Sequence, residues 1–242
     1  MSRVHNFSAG PAALPLEVLE IIRNDIPDWQ DTGMSVMEVS HRSKEFVALA
    51  ERSEANLRTL LGVPDDYSVL FPQGGATMQM AMAPMNLATP EQAADYVVTG
   101  SWGKKAAGEA GKFCRANVAA DASDKNFTYI PDEKDWQRSD NAAYLHYTPN
   151  ETIAGVEFHF VPGGDAPLVA DMSSTILSRP IDVSRFGVIY AGAQKNIGPA
   201  GITLVIVRND LLERAPANLA HLMTWRSYAE SGSMTNTPPT FA

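Results

Sequence analysis

Residues 167–195 read PLVADMSSTILSRPIDVSRFGVIYAGAQK. Two apolar runs of strand length, "PLVAD" and "GVIYAG", close respectively on Asp171 and three residues before Lys195. The same rhythm extends outward: "YSVLF" at 67–71, "DYVVTG" at 95–100, "AYLHY" at 143–147 and "ITLVIV" at 202–207, set among longer helical patterns. Short apolar runs alternating with helix-length segments predict an α/β domain with a mostly parallel central sheet.

Two segments carry apolar residues at three- and four-residue spacing, "LPLEVLEIIRNDI" at 14–26 and "SKEFVALAERSEANLRTLLG" at 43–62, the second stopping on Gly62. Both are expected to be helices whose stripes face the core. Thr89-Pro90-Glu91-Gln92 has a capping threonine, a first-turn proline and a glutamine at the third position, so a helix is expected to start there. Met78, Met80, Met82 and Met85 read as adaptable core filler. No period of repeat length recurs. The final "SGSMTNTPPTFA" has the composition of a hinge or linker.

Composition narrows the function classes. With 242 residues, 45% of them hydrophobic, the chain can bury a sizeable core. Its 28 acidic and 19 basic residues give a net charge of -9 without long runs, so no electropositive face offers itself to nucleic acid or anionic lipid. A small-molecule role is the better expectation, and an anionic ligand would have to be drawn by local groups. Cys114 is the single cysteine, which excludes an intrachain disulfide or a thiolate metal cage and fits a reducing compartment. Five scattered histidines show no paired metal spacing. The first fifteen residues lack the apolar stretch of a signal peptide, and no aliphatic string is long enough to span a bilayer. A soluble cytoplasmic protein is the expectation.

In open α/β sheets ligands lie beyond the carboxyl ends of the strands, so the residues just past each run are the candidates for a site. Pro72-Gln73-Gly74-Gly75-Ala76-Thr77 is either a tight turn or a glycine pair opening a helix whose free N–H groups cradle a phosphate. Trp102 is either core or a plate for a planar ligand. Thr148-Pro149-Asn150-Glu151-Thr152 supplies polar loop groups able to reach such a ligand. Asp171 is either a helix N-cap or a carboxylate facing a protonated ring nitrogen. Lys195 either snorkels outward or, among the small residues Ala191, Gly192, Ala193 and Gly198, is a desolvated amine that a flat cofactor can approach. A lysine for an aldehyde, an aspartate for a pyridinium and a helix cradle for a phosphate together describe pyridoxal 5'-phosphate.

The stretches "FSAGPAALP", "SVMEVSHRSKEF", "SDNAAYLHYTPNETIAG", "ADMSSTILSRPIDVSRFGVIYAGAQKNIGPAG" and "GSMTNTPPTFA" resemble the phosphoserine aminotransferases, pyridoxal-phosphate enzymes of the class V aminotransferase group. That resemblance implies a three-layer fold-type I large domain. It implies that Lys195 forms the internal aldimine, that Asp171 pairs with the pyridine nitrogen and that Trp102 stacks on the ring. It implies cofactor contacts from Ala76, Thr77, Thr152 and Gln194, and substrate contacts from Arg42 and His41. It further implies that Asn236 and Thr237 complete the site of a neighbouring subunit in a homodimer. "QGGATMQ" departs from those relatives that carry a basic residue beside the phosphate turn. Residues 1–15 would be an N-terminal arm, 16–230 the cofactor-binding large domain and 231–242 the start of the connection to a smaller C-terminal domain that this chain lacks.

The activity implied is ping-pong transamination between L-glutamate and 3-phosphohydroxypyruvate, giving 2-oxoglutarate and O-phospho-L-serine for serine biosynthesis. Some relatives also serve pyridoxine biosynthesis. The competing readings are another class V pyridoxal enzyme, or a fragment that keeps fold and dimer surface without turnover.

Overall fold

A computed structural model describes residues 3–242. The strands of its central sheet are β1 (Tyr67–Leu70), β2 (Ala93–Val98), β3 (Arg115–Asp121), β4 (Leu145–Tyr147), β7 (Leu168–Asp171), β8 (Val188–Gly192) and β9 (Thr203–Arg208), while β5 (Asn150–Glu151) and β6 (Val156–Glu157) form a separate hairpin. The seven strands of the sheet lie in the order β1-β9-β8-β7-β4-β2-β3. Neighbours from β3 through β2, β4 and β7 to β8 pair in parallel. Strand β9 is antiparallel to both β8 and β1. In this sheet only β9 therefore opposes the common direction, and the six other strands (β1, β2, β3, β4, β7, β8) end on one edge. The β5–β6 hairpin stands beside that edge, directly after β4.

Alternation along the strands gives each face its own core. On one face Tyr96, Tyr144, Val169, Tyr190 and Val205 pack against α3 (Gly75–Leu87) and α4 (Ser101–Ala110). The short α5 (Asn209–Leu212) and α6 (Trp225–Glu230) complete that layer, with Trp225 fully buried and its indole N–H donating to Gln79 at 2.9 Å. On the other face Tyr147, Phe158, Ile176, Phe186 and Ile206 pack under loops and the end of α2 (Lys44–Leu61). Tyr67 joins these loops to the sheet by donating its hydroxyl to the Phe186 carbonyl at 2.6 Å.

All six apolar runs are strands. The expected stop of α2 is present: Gly62 closes the helix at φ 62°, a left-handed position where a Cβ is costly, and at the other end Ser43 accepts from the Phe46 N–H. Met80 and Met82 are core, and Cys114 is buried.

Two expectations need correction. No helix starts at Thr89. The Thr89 N–H does donate to the Gln92 side chain at 2.9 Å, and the Gln92 N–H to the Thr89 carbonyl at 3.1 Å, but the next six residues form β2, buried throughout. The local box closes one turn, and the burial of "AADYVV" in the sheet makes the next segment a strand. Second, α1 (Leu16–Asp25) is a helix but buries none of its residues; Val18 and Ile21 are 40% and 61% exposed, so its stripe is not a core face of this chain. The terminal stretch is held at its start, where Ser233 is buried and its hydroxyl receives the Phe71 N–H at 2.9 Å. The edge strand β3 escaped sequence reading because "RANVAAD" is exposed at both ends and shows no alternation.

Candidate active site

The turn after β1 is built on glycine. Gly74 has φ 90°, and a Cβ there would fall 2.6 Å from the Met78 Cβ, so no other residue lets α3 begin so tightly. The first N–H groups of α3 precede any helical partner, and no acidic side chain occupies that first turn. Across the cleft, β8 ends on Gly192, where a Cβ would sit 3.5 Å from the Ala76 nitrogen. This end of α3 therefore presents free N–H groups and the positive end of the helix dipole, the arrangement that suits an anion. A cation also reaches it from α4: Lys105 Nζ lies 3.4 Å from Thr77 Oγ1, at the turn whose own side chains carry no charge.

Asp171 ends β7 and is buried. Its Oδ1 accepts from the Ser173 N–H at 3.0 Å and from the Ser173 hydroxyl at 2.6 Å, while no donor among the described residues reaches Oδ2. Burial pushes this carboxyl above its ordinary range, against the two Ser173 hydrogen bonds and the Lys195 charge. A buried acid with one oxygen satisfied and one open is suited to receive a proton-bearing nitrogen.

Lys195 comes three residues after β8 and is half-buried. Its Nζ donates to Thr152 Oγ1 and lies 5.4 Å from the centroid of the Trp102 ring. A relay of hydroxyls sets the direction of that hydrogen bond. Ser174 Oγ donates its one proton to the Asn150 carbonyl at 3.0 Å, so Thr152 donates to Ser174 at 3.1 Å and offers a lone pair to the amine. Burial lowers the Lys195 pKa, opposed by the charges of Asp171 and Glu151. A lysine with a lowered pKa is a better nucleophile near neutrality. The N-terminal segment closes over its stem: a Cβ on Gly10 would meet Lys195 Cγ at 3.4 Å, and the Ala12 N–H donates to the Gln194 carbonyl at 2.8 Å.

These groups share one cavity of about 180 Å³. Two of the lining residues carry a polar atom buried without a partner among the described residues, Trp102 Nε1 and Thr148 Oγ1.

Residues 4–242 match the model of the family described as aminotransferase class-V. This chain belongs to the class-V aminotransferases. It is 57% identical over 241 residues to the phosphoserine aminotransferase of Hahella chejuensis, covering 99% of this chain and 67% of that relative. Among solved structures it superposes on the phosphoserine aminotransferase from Bacillus circulans subsp. alkalophilus with a TM-score of 0.95 at 50% identity, covering 99% of this chain and 66% of the other. It also matches the PLP-bound phosphoserine aminotransferase from Trichomonas vaginalis with a TM-score of 0.93 at 42% identity, covering 99% and 68%. The chain spans about two thirds of the length of these relatives.

In this class-V chain Ala76, Thr77, Trp102, Thr152, Asp171, Gln194 and Lys195 line the shared cavity. Arg42 and His41 do not. Arg42 is exposed before α2, and His41 Nε2 is buried without a partner. Asn236 and Thr237 are exposed outside the cavity, yet the Thr237 carbonyl accepts from Gln73 Nε2 at 2.6 Å, beside the glycine turn. Sequence reasoning took Glu151 only as one of several polar loop groups and assigned Ser173 no role. Ser173 sits two residues beyond Asp171, the spacing at which an aspartate side chain receives a nearby backbone N–H. Glu151 left only the trace of one carboxylate inside "TPNETIAG".

Proposed function

We propose that this chain is the pyridoxal 5'-phosphate-binding large domain of a phosphoserine aminotransferase, and that the enzyme transfers an amino group between L-glutamate and 3-phosphohydroxypyruvate to give 2-oxoglutarate and O-phospho-L-serine. The observation that carries this is the convergence of Lys195, Asp171, Trp102 and the α3 N-terminus on one cavity, in a chain whose relatives bear that name.

The residues present fit the cofactor. The glycine turn offers unpaired N–H groups to a phosphate, Asp171 leaves Oδ2 open for a ring nitrogen, and the amine of Lys195 faces the same space. When bound, pyridoxal 5'-phosphate supplies an electron sink for the pair of electrons left at the substrate α-carbon. The chain's own groups do the rest. Asp171, already raised by burial, holds a proton at a heteroaromatic nitrogen and makes that sink effective. Lys195 Nζ would hold the cofactor through its amine and, when free, would carry the proton to and from the substrate α-carbon. Thr152 orients that amine through the relay to Ser174. Trp102 holds the ring plane against rotation. Arg42 and His41 bind the substrate's anionic groups, and Asn236 and Thr237 complete the cofactor site of the second subunit of a homodimer. The setting is cytoplasmic, consistent with the finding that no helix of the described residues is long and apolar enough to cross a membrane. A related phosphorylated keto acid of pyridoxine biosynthesis is a second substrate of the same class.

Half-reactions test this reading. The cofactor-loaded chain mixed with O-phospho-L-serine is expected to convert its bound cofactor to the amine form, with L-serine and L-alanine much slower. Equal rates with the three amino acids would show that no phosphate is recognised. A loaded, folded chain inert to all of them would assign turnover to residues beyond this domain.

A further inference from the structure

Glu151 is a fully buried carboxylate for which the chemistry above has no use. Its two oxygens receive the N–H groups of Trp102 at 3.0 Å and Gly103 at 2.7 Å. The surroundings are shaped to admit it. A Cβ on Gly100 would fall 2.4 Å from Glu151 Cδ, and one on Gly103 would lie 3.3 Å from Oε1. Helix α4 has no side-chain cap of its own, so an acid from the β5–β6 hairpin satisfies its first donors from a distant part of the chain.

Trp102 is the second residue of that helix. Its indole N–H has no partner among the described residues, so hydrogen bonding among them holds the ring only through the backbone, and Glu151 holds the backbone. The next residue, Thr152, accepts from Lys195. One short hairpin thus touches both the aromatic plate and the amine. We propose that Glu151 is the positioning residue of this site, fixing the plane of Trp102 through two backbone amides and keeping a buried negative charge beside Lys195. This rests on the cofactor reading given above for the role of Trp102. The charged groups acting on Lys195 are Asp171 from β7 and Glu151 from β5, with Lys105 of α4 5.8 Å from the same indole. Burial raises the Glu151 pKa, while the two amides and Lys195 lower it; both acids raise Lys195.

The test uses Glu151→Gln, which keeps the shape, loses the charge and retains one acceptor for two donors. Pyridoxal 5'-phosphate affinity and the circular dichroism of its visible band are measured in wild type, Glu151→Gln, Trp102→Ala and the double variant. Losing a charged acceptor should weaken binding roughly tenfold. If Glu151 acts through Trp102, the double variant binds no more weakly than Trp102→Ala alone. In cofactor-free protein, the pH midpoint for labelling of Lys195 by trinitrobenzenesulfonate, read by peptide mass, should fall in Glu151→Gln. Equal weakening in both Trp102 backgrounds would overturn the positioning role. Lower thermal stability with affinity, dichroism and midpoint unchanged would overturn the whole proposal, leaving Glu151 a helix cap. If Glu151→Gln does not fold, Glu151→Asp keeps the anion but shortens its reach, so affinity should drop while the Lys195 midpoint stays; the reverse pattern would refute the assignment. Failure of wild type to bind the cofactor would count against the cofactor reading instead, and the labelling midpoint would still report on Glu151.

Discussion

Lys195 sits where three influences compete. Burial favours the neutral amine, and Asp171 and Glu151 favour the cation. Because burial is the largest of these, the amine holds its proton less tightly than a free lysine, as the proposed attack on a carbonyl carbon requires. Lys195→Ala should therefore eliminate the covalent cofactor linkage that borohydride traps, read as the mass of the labelled peptide; a trapped adduct on another lysine would refute the role. Asp171→Asn should still bind the cofactor, since the α3 cradle is untouched, but slow the half-reaction with O-phospho-L-serine by about 100-fold or more, as loss of a preorganised charge typically costs several kcal/mol. A near-normal single-turnover rate would rule out the proton-holding role. These two residues were legible because each closes or follows an apolar run, where topology places ligands. Glu151 was not, because its partners are the backbone N–H groups of Trp102 and Gly103, 49 and 48 positions earlier, and an amide has no residue identity to read. Ser173 is intermediate: its spacing from Asp171 was visible, its geometry was not.

Single elements show where local and tertiary forces part company. Thr89 to Gln92 satisfies its box and still precedes a strand, because Tyr96, Val97 and Val98 bury completely between β3 and β4. Strand β4 carries a comparable conflict. His146 is buried at its centre, with Nε2 2.8 Å from the Tyr190 hydroxyl, its ring stacked on Tyr96 and Nδ1 without a partner. Burial pushes its pKa from 6.5 down to about 3. The folded state thus refuses a proton that the unfolded chain accepts below pH 6.5, so this contribution is complete above that value and is lost as pH falls toward 3. Each pH unit in the window is worth about 1.4 kcal/mol, which makes roughly 3 kcal/mol by about pH 4.5. Urea unfolding at about pH 7 and about pH 4.5 should show wild type losing about that much more than His146→Gln. Equal losses would mean that His146 takes up a proton without unfolding. The apolar run "AYLHY" revealed the strand, but one histidine within it reads equally as exposed or buried.

At the scale of the molecule, the single reversed strand of the sheet matters most. With β9 alone antiparallel, the ends of β1, β2, β3, β4, β7 and β8 share one edge, and residues from 74 to 195 meet there without any local signal that they should. The shared edge could be expected from the strand-length runs of a mostly parallel sheet; the reversal of β9 could not. Nor could the fate of α1: its periodic stripe, with Ile21 61% exposed, gives the same pattern whether it faces this chain's core or something outside it. The proposed sharing of Asn236 and Thr237 between subunits belongs to this scale too. Both are exposed and outside their own chain's cavity, although the Thr237 carbonyl touches the start of the glycine turn. The two arrangements, service to the same chain or to a partner, differ in one measurable way. Subunits bearing Lys195→Ala keep intact residues 236 and 237; subunits bearing Asn236→Ala with Thr237→Ala keep the lysine. Unfolded together and refolded at equal amounts, they should form hybrid dimers in which one site recovers a complete set. By statistical mixing of a twofold dimer, about one quarter of wild-type sites should return, measured as borohydride-trapped cofactor at a concentration that labels neither parent. If each chain completes its own site, mixing restores nothing, because every lysine then remains beside its own altered residues 236 and 237.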